Sequence, residues 1–153
     1  MSNLNEIIQN IKDKNFDQAL KLCRLYENNN NSHIVFNLKG SIHYLQNNFE
    51  LAEKYFLNSI KIEKNFIDPV KNLYIIYQKT KKFNELLSVA KKLITYDESD
   101  PSYNYKLGFA FEMNDMLSDA LKYYQTCIKL NGKDKKYALN KTPNFLEATP
   151  RIE

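Results

Sequence analysis

The sequence predicts an all-α fold in which antiparallel helix pairs stack one on another. Apolar residues recur at an interval of 34 positions, so one structural unit is repeated along the chain. Within each interval they fall at helical spacing in two blocks joined by short polar segments. Three Gly and four Pro in 153 residues leave little turn chemistry for a many-stranded sheet.

The period is clearest in the second block of each interval. Phe49, Phe83 and Leu117 are separated by this interval. The same interval separates Ala52, Leu86 and Ala120; Tyr55, Val89 and Tyr123; and Ile60, Ile94 and Ile128. In an earlier copy, which is one position shorter, the segment 15–20 resembles the segment 48–53. About four copies of one helix pair are therefore predicted.

Start and stop signals divide these copies into helices. Asp68-Pro69 and Asp100-Pro101 each offer an Asp cap followed by Pro in the first turn, where a missing N–H costs nothing. Four consecutive Asn, residues 28–31, indicate a loop. The predicted helices cover residues 3–13, 16–28, 33–46, 49–63, 68–80, 83–96, 101–114 and 117–130, with a ninth short helix at 134–141.

Small residues are expected where the two helices of a pair come closest. Gly40 is expected to face Ala52, and Gly108 to face Ala120, because close approach needs small side chains. The pair between them has large residues, Tyr74 and Leu86, at the equivalent positions. A wider or rotated pair is predicted there, and the alternative is a degenerate repeat.

Two sets of residues match a known repeat pattern. They are Leu38-Lys39-Gly40 with Phe49, Ala52, Tyr55, Phe56 and Ile60, and Leu107-Gly108 with Leu117, Ala120, Tyr123, Tyr124 and Ile128. In these residues the chain resembles the tetratricopeptide repeat family over roughly residues 1–132. The resemblance implies a right-handed superhelix, an α-solenoid whose first helices line a concave face. The expected repeats are about 1–32, 33–66, 67–100 and 101–134.

The C-terminal residues, 133–153, are expected to cap the stack and then leave it. Tyr137 and Leu139 resemble the beginning of another first helix and would cover the last apolar face. Pro143 ends that helix, and a loose tail is expected to follow. Two alternatives stay open: the tail docks into a groove of this or another copy, or the chain is a fragment of a longer array.

The resemblance implies that the concave face holds an extended peptide. Amide and Lys side chains suit its backbone and carboxylates, while aromatic residues supply apolar contact. The predicted groove residues are Asn37, Ser41, Tyr44, Lys71, Asn72, Ile75, Tyr105, Lys106 and Phe109, with Leu45, Gln78, Lys79, Ser102, Glu112 and Met113 in a wider set. The alternative is a solvated face, because Lys and Asn are common throughout. Asn72 and Lys106 alone fit the carboxylate clamp that some family members use, so a chaperone partner is not expected.

Catalytic or metal chemistry is not predicted, and no cofactor is expected. Cys23 and Cys127 match no metal or redox spacing and are expected to be buried, reduced thiols. His33 and His43 are isolated from other residues at ligand spacing. The sequence contains no Gly-rich phosphate loop and no Ser/His/Asp set, so we expect that the chain is not an enzyme.

Charge and hydropathy restrict the classes of partner. The net charge of +4 comes mostly from scattered Lys, and Arg, which grips phosphates in fixed geometry, occurs only at positions 24 and 151. No stretch approaches the length that spans a bilayer, and the first residues lack a secretory signal. We therefore expect a cytoplasmic protein with no nucleic-acid or membrane partner, and its oligomeric state is left open.

The predicted function is a protein–protein interaction scaffold or adaptor, which binds a peptide or protein segment in its concave groove. The alternative is a targeting or regulatory repeat domain of a larger enzyme, for example a glycosyltransferase or sulfotransferase. Helical repeats of this kind are often joined to such enzymes, and the interruption near Pro143 motivates the alternative.

Overall fold

The computed structural model describes residues 2–27 and 32–130, which form eight helices and contain no strand. The helices are α1 Ser2–Lys12, α2 Phe16–Tyr26, α3 Ser32–Leu45, α4 Phe49–Ile62, α5 Asp68–Thr80, α6 Phe83–Ile94, α7 Pro101–Glu112 and α8 Leu117–Leu130. All eight predicted helices are confirmed, and each end lies within two residues of its predicted position. The predicted ninth helix and the C-terminal tail lie outside the described residues.

The chain divides into two units, Met1–Lys82 and Phe83–Glu153. In unit 1 the first helices of successive repeats are neighbours, because α1 contacts α3 and α3 contacts α5, while α2 and α4 each contact the helices before and after them. In unit 2, α7 packs against both α6 and α8. Tyr74 belongs to unit 1 and Leu86 to unit 2; both are buried, and the predicted widening of their helix pair stays a prediction.

Four residues with left-handed backbone mark the repeat in the structure. They are Lys14, Asn47, Lys81 and Asp115, with φ between 59° and 60°. Each is one period from the next, and the first step is again one position short, so each copy places the same unusual backbone after its first helix. Side chains rarely adopt this conformation, and Asn and Asp tolerate it best. The turn is therefore part of the repeating unit, although no Gly occupies it.

The predicted Asp caps have different outcomes. Asp100 caps α7, because its Oδ1 accepts hydrogen bonds from the N–H groups of Ser102 at 2.7 Å and Tyr103 at 3.2 Å. The prediction for Asp68 is wrong: α5 begins at Asp68, and no side chain caps it. Ile67 already has helical backbone, with φ −78° and ψ −32°, so Asp68 is carried into the first turn. In the first turn its negative charge interacts favourably with the positive end of the helix dipole.

The close approach of α3 and α4 depends on Gly40. A Cβ atom at this position would lie 2.6 Å from the ring of Phe56, which no real side chain tolerates without movement. The nearest atoms to Gly40 thus belong to Phe56 rather than to Ala52, the predicted partner, because the Phe ring one turn further along α4 reaches across to α3. Ala52 and Phe56 are both buried.

Unit 2 uses the same device. A Cβ atom at Gly108 would lie 2.8 Å from the ring of Tyr124 and 3.2 Å from the carbonyl oxygen of Ala120, so the predicted approach to Ala120 is confirmed. At the end of α7, Asn114 Nδ2 donates to the carbonyl oxygen of Phe83 at 2.9 Å and holds the start of α6. The packing of α7 therefore involves both neighbouring helices.

Candidate functional site

A pocket of about 150 Å³ lies between α3 and α5 in unit 1 and is called the α3–α5 pocket below. It is lined by Ser41, Tyr44, Leu45, Phe56, Asn72 and Ile75. Four of these belong to the predicted groove: Ser41, Tyr44, Asn72 and Ile75. The structure thus brings together predicted groove residues from two successive first helices.

The pocket follows from a short side chain in a register that elsewhere carries large ones. Ser41, Ile75 and Phe109 are one period apart, and Ile8 occupies the same register of the shorter first copy. The Ser41 hydroxyl donates to the carbonyl oxygen of Asn37 at 3.0 Å, so it turns back onto its own helix. Space that a larger side chain would fill is left open between α3 and α5.

The apolar wall of the pocket combines buried and exposed side chains. Phe56 reaches it from α4, is 1% exposed, and is held in place by its contact with Gly40. Leu45 and Ile75 are 51% and 45% exposed, which is high for aliphatic residues that line one concavity. The site therefore has a buried aromatic base and an accessible aliphatic rim.

Two amide side chains link the helices at the pocket. Asn72 Nδ2 donates to Asn37 Oδ1 at 3.1 Å, a bond that joins α5 to α3. Asn37 is buried, whereas Asn72 is half-buried and lines the pocket. An amide carries two N–H donors and one acceptor oxygen, so Asn72 has bonding capacity beyond this contact.

A lysine ammonium lies beside the pocket. Lys79 Nζ is 5.6 Å from the ring centroid of Tyr44 and 5.0 Å from that of Phe49. These cation–π contacts restrict where the charge can move. Within the part of the chain that the structure describes, no carboxylate pairs with Lys79. The ammonium of Lys79 therefore places a positive charge beside the site. Lys71 is exposed on the same helix.

Comparison with known proteins identifies the fold. No family model matches the chain. The "TPR repeat-containing protein YpiA" of Bacillus subtilis (strain 168) is 18% identical over 98 residues, which are 64% of this chain and 23% of YpiA, so the chain spans about a quarter of that relative. The solved structure "MamA 41-end from Desulfovibrio magneticus RS-1" matches with a TM-score of 0.74 and 17% identity, over 88% of this chain and 77% of MamA. The chain has the tetratricopeptide repeat fold.

A third protein with this fold is of interest for its site. YrrB, described as "a TPR protein with an unusual peptide-binding site", matches with a TM-score of 0.70 and 15% identity. The match covers 90% of this chain and 71% of YrrB. At these identities the comparison establishes the tetratricopeptide fold.

The remaining predicted groove residues lie on α7, the first helix of a tetratricopeptide repeat in unit 2. Tyr105, Lys106 and Phe109 are all half-buried. The ring of Tyr105 lies 5.6 Å from that of Tyr124, and Lys106 Nζ donates to Ser102 Oγ at 2.6 Å. These two side chains therefore already have partners within their own unit. A single groove that joins the α7 residues to those of unit 1 stays a prediction.

A buried ion pair was not predicted. Lys39, with a side chain 6% exposed, lies 2.5 Å from Glu27 Oε2 and over the rings of Phe36 and Tyr55, 5.6 and 5.4 Å from their centroids. Lys39 stands one period before the buried Leu73, so a charge in an apolar register was the available signal. Because the pair joins the end of α2 to α3 and the Lys39 side chain is buried, we assign it a role in packing rather than in binding.

Both cysteines are buried thiols that form no disulfide with each other, as predicted. Burial raises the pKa of Cys23 from its ordinary value of 9.0 to about 11; Lys39 opposes the shift and Glu27 adds to it. Burial also raises the pKa of Cys127, and the nearby Asp100 carboxylate acts in the same direction. Neither thiol is a ready nucleophile, because attack requires the thiolate.

The histidines lie in aromatic surroundings. His43 stacks on Tyr55 with centroids 5.3 Å apart, and His33 meets the edge of Phe66 at 5.1 Å. Burial lowers the pKa of His43, and the charge of Lys39 lowers it further. Among the described residues, no three His, Cys, Asp or Glu side chains are grouped to hold a metal ion, and no described helix has the length and apolar character to cross a membrane.

Proposed function

We propose that this chain is a protein-interaction module that binds a peptide or protein segment on the face formed by α1, α3 and α5. The α3–α5 pocket is the observation that carries the proposal. It is an apolar concavity on the first helices of two repeats, with an amide and a positive charge beside it. Peptide-binding sites show the same combination of an apolar pocket and polar groups that hold the peptide backbone.

The exposed aliphatic residues support this proposal. Single exposed apolar residues are common on protein surfaces and need no explanation. Leu45 and Ile75, however, come from neighbouring helices and line one cavity together. Burying both against a partner would remove their apolar surface from water, which favours association. YrrB, with the same fold, is described as having a peptide-binding site, and this agrees with the proposal.

The proposal assigns no catalytic step, cofactor or nucleic-acid ligand to the chain. Cys23 and Cys127 are both buried, and burial raises both pKa values, which opposes nucleophilic chemistry at neutral pH. The charge beside the pocket is that of Lys79, and Arg, the residue that best matches phosphate geometry, is absent from the pocket lining. An extended polypeptide therefore fits the pocket better than a nucleic acid.

Site-specific photo-crosslinking tests the proposal. A benzophenone amino acid is placed at Ile75 in the pocket or at Leu57 on α4, which are 45% and 47% exposed and so make a matched pair. The protein is produced in its native cells, irradiated, and examined by gel shift and mass spectrometry. We expect defined protein adducts from position 75 and none from position 57. Equal adducts at both positions, or none at position 75, would contradict the proposal.

A further inference from the structure

Given the proposed function, on which this assignment rests, we infer the chemistry of the bound segment. The segment places an aliphatic side chain in the α3–α5 pocket and a carboxylate, one or two residues away, against Lys79. Three features of the pocket carry this assignment: its volume and apolar base, the position of the lysine charge, and the amide between them.

The volume and base of the pocket select the anchoring side chain. The α3–α5 pocket is mostly apolar, opens to solvent and has a volume of about 150 Å³, which suits a group of roughly the size of benzene. The side chains of Leu, Ile, Val and Met are of this size or smaller, whereas the Trp indole is larger. Phe56, which is buried and packed against Gly40, closes the base of the pocket.

The charge of Lys79 favours an acidic residue next to the anchor in the bound segment. Lys79 Nζ lies over Tyr44, whose ring also lines the pocket, so the charge is close to the bound anchor. Among the described residues no carboxylate neutralises it. An extended peptide advances about 3.3 Å per residue, so an acidic side chain one or two residues from the anchor can reach the ammonium. The charges of ligand and site are then complementary.

The side-chain amide of Asn72 favours a bound segment in an extended conformation. Asn72 is oriented by its bond to Asn37, and it carries further donor and acceptor capacity at the pocket. An extended segment has unpaired backbone N–H and C=O groups that need such partners when they are removed from water. A helical segment has already paired these groups, so the amide favours an extended segment.

Peptide selection on the full-length chain tests the inference. A random dodecapeptide library displayed on phage is panned against the wild-type protein. We expect the selected sequences to share Leu, Ile, Val or Met with Asp or Glu within two positions. One such peptide is then synthesised with a fluorophore, and its Kd is measured by fluorescence anisotropy for the wild type and three variants.

A variant at Ser41 tests the pocket. Ser41→Ile fills it with the side chain that Ile8 and Ile75 carry in the same register, so the fold should accept it. We expect Kd to rise by about tenfold or more, because one buried aliphatic side chain contributes about 1.5–3 kcal/mol. Circular dichroism establishes that the variant is folded.

Two variants test the charge. Lys79→Gln should raise Kd by about three- to fivefold, the size expected for a solvent-accessible ion pair. Lys61→Gln removes the same charge from the exposed end of α4 and should have no effect. Replacing the acidic residue of the peptide by its amide should weaken binding to the wild type but not to Lys79→Gln, because the partner charge is already absent.

The outcomes separate this inference from the proposed function. Selected sequences without the aliphatic and acidic pair, or a Kd unchanged by Ser41→Ile, would overturn the inference. In either case the effect of Ile75→Glu decides the proposed function: weaker binding retains a peptide site on this face, and unchanged binding rejects both. A peptide that responds to Ser41→Ile but ignores Lys79→Gln would overturn the assignment of the carboxylate.

Discussion

The α3–α4 pair of unit 1 and the α7–α8 pair of unit 2 are copies of one repeat, two periods apart. In both, a Gly of the first helix lies against an aromatic ring of the second: Gly40 against Phe56, and Gly108 against Tyr124. The contact is similarly close in the two copies, so the repeat keeps the distance between its helices. What differs between the copies lies at the residues on either side of the Gly.

The residue after the Gly differs in size between the copies. Ser41 is short, turns its hydroxyl onto its own helix and lines the α3–α5 pocket, whereas Phe109 carries a ring in the same register of unit 2. We therefore expect substitutions in this register to change the surface beside the helix pair while the contact between the Gly and the ring is kept.

The residue before the Gly decides how the buried register is filled. Leu107 is buried in unit 2, whereas unit 1 has Lys39 in this register, paired with Glu27. An apolar side chain needs no partner, while a buried ammonium requires its carboxylate. The stability of unit 1 should therefore depend on a single residue at the end of α2.

The largest expected effect comes from removing that carboxylate. Glu27→Gln leaves the buried Lys39 ammonium without its partner and should lower the free energy of unfolding by about 2 kcal/mol. Loss of one member of a fully buried pair costs about 3–5 kcal/mol, and the value is smaller here because the Glu27 side chain is 31% exposed. Urea unfolding at neutral pH measures the change.

The matched control converts unit 1 to the arrangement of unit 2. Lys39→Leu combined with Glu27→Gln places an apolar residue where Leu73 and Leu107 already stand, so stability should return to within about 1 kcal/mol of the wild type. If Glu27→Gln alone leaves the unfolding midpoint unchanged, the ion pair contributes nothing and this difference between the units has no energetic consequence.

The second prediction concerns what the copies share. Gly40→Ala and Gly108→Ala should each lower the free energy of unfolding by about 1–2 kcal/mol, because the added methyl group would lie 2.6 or 2.8 Å from a ring. Overpacking costs about 1–3 kcal/mol, and the better helix propensity of Ala returns up to about 1 kcal/mol. Thermal and urea unfolding of both variants measure the loss.

Two further variants identify the cause of that loss. Ser41→Ala, at the next position, should change stability by less than about 0.5 kcal/mol, because it adds no atoms. Phe56→Leu should recover part of the stability in the Gly40→Ala background, since the smaller side chain gives the methyl group room. A Gly40→Ala protein at least as stable as the wild type would show that the ring can move and that the close approach is not required.

The sequence predicted those parts of the molecule that depend on the period. The eight helices follow from the spacing of apolar positions, which is a local property of the chain. The four predicted pocket residues follow from the resemblance to the tetratricopeptide repeat family, which implies that first helices line the concave face. The prediction of a cap at Asp68 was wrong because capping depends on the backbone conformation of Ile67, which cannot be read from the side-chain pattern. The contribution of Phe56 to the pocket was missed because it requires the orientation of α4 relative to two other helices.

The buried ion pair could have been found from the sequence. Aligning the copies places Lys39 with Glu6, Leu73 and Leu107, and a charge at a position that is buried in the later copies requires a partner. The same alignment places Glu27 with Ile60, Ile94 and Ile128, so this carboxylate also replaces an apolar residue. That the two side chains meet could not be predicted, because it depends on how α2 packs against α3.

The smallest expected effect is a dependence of the free energy of unfolding on pH, to which the buried thiols of the two units contribute. Cys23 titrates at about 11 in the folded protein, above its ordinary value of 9.0. The folded state therefore keeps a proton that the unfolded state releases, so the stabilisation is complete below pH 9 and is lost as pH rises from about 9 to 11. Between about pH 8 and pH 10 the contribution of Cys23 should fall by about 1 kcal/mol.

The measurement is the difference in urea unfolding between the wild type and Cys23→Ala across this range, since other groups titrate equally in both. Cys127→Ala is the matched variant in unit 2, where burial and Asp100 also raise the thiol pKa, and it should show a slope of the same sign. A difference between wild type and Cys23→Ala that does not change with pH would mean that water reaches this thiol in the folded protein. Because Cys23 interacts electrostatically with Lys39 and Glu27, this result would also mean that the packing around the ion pair admits water.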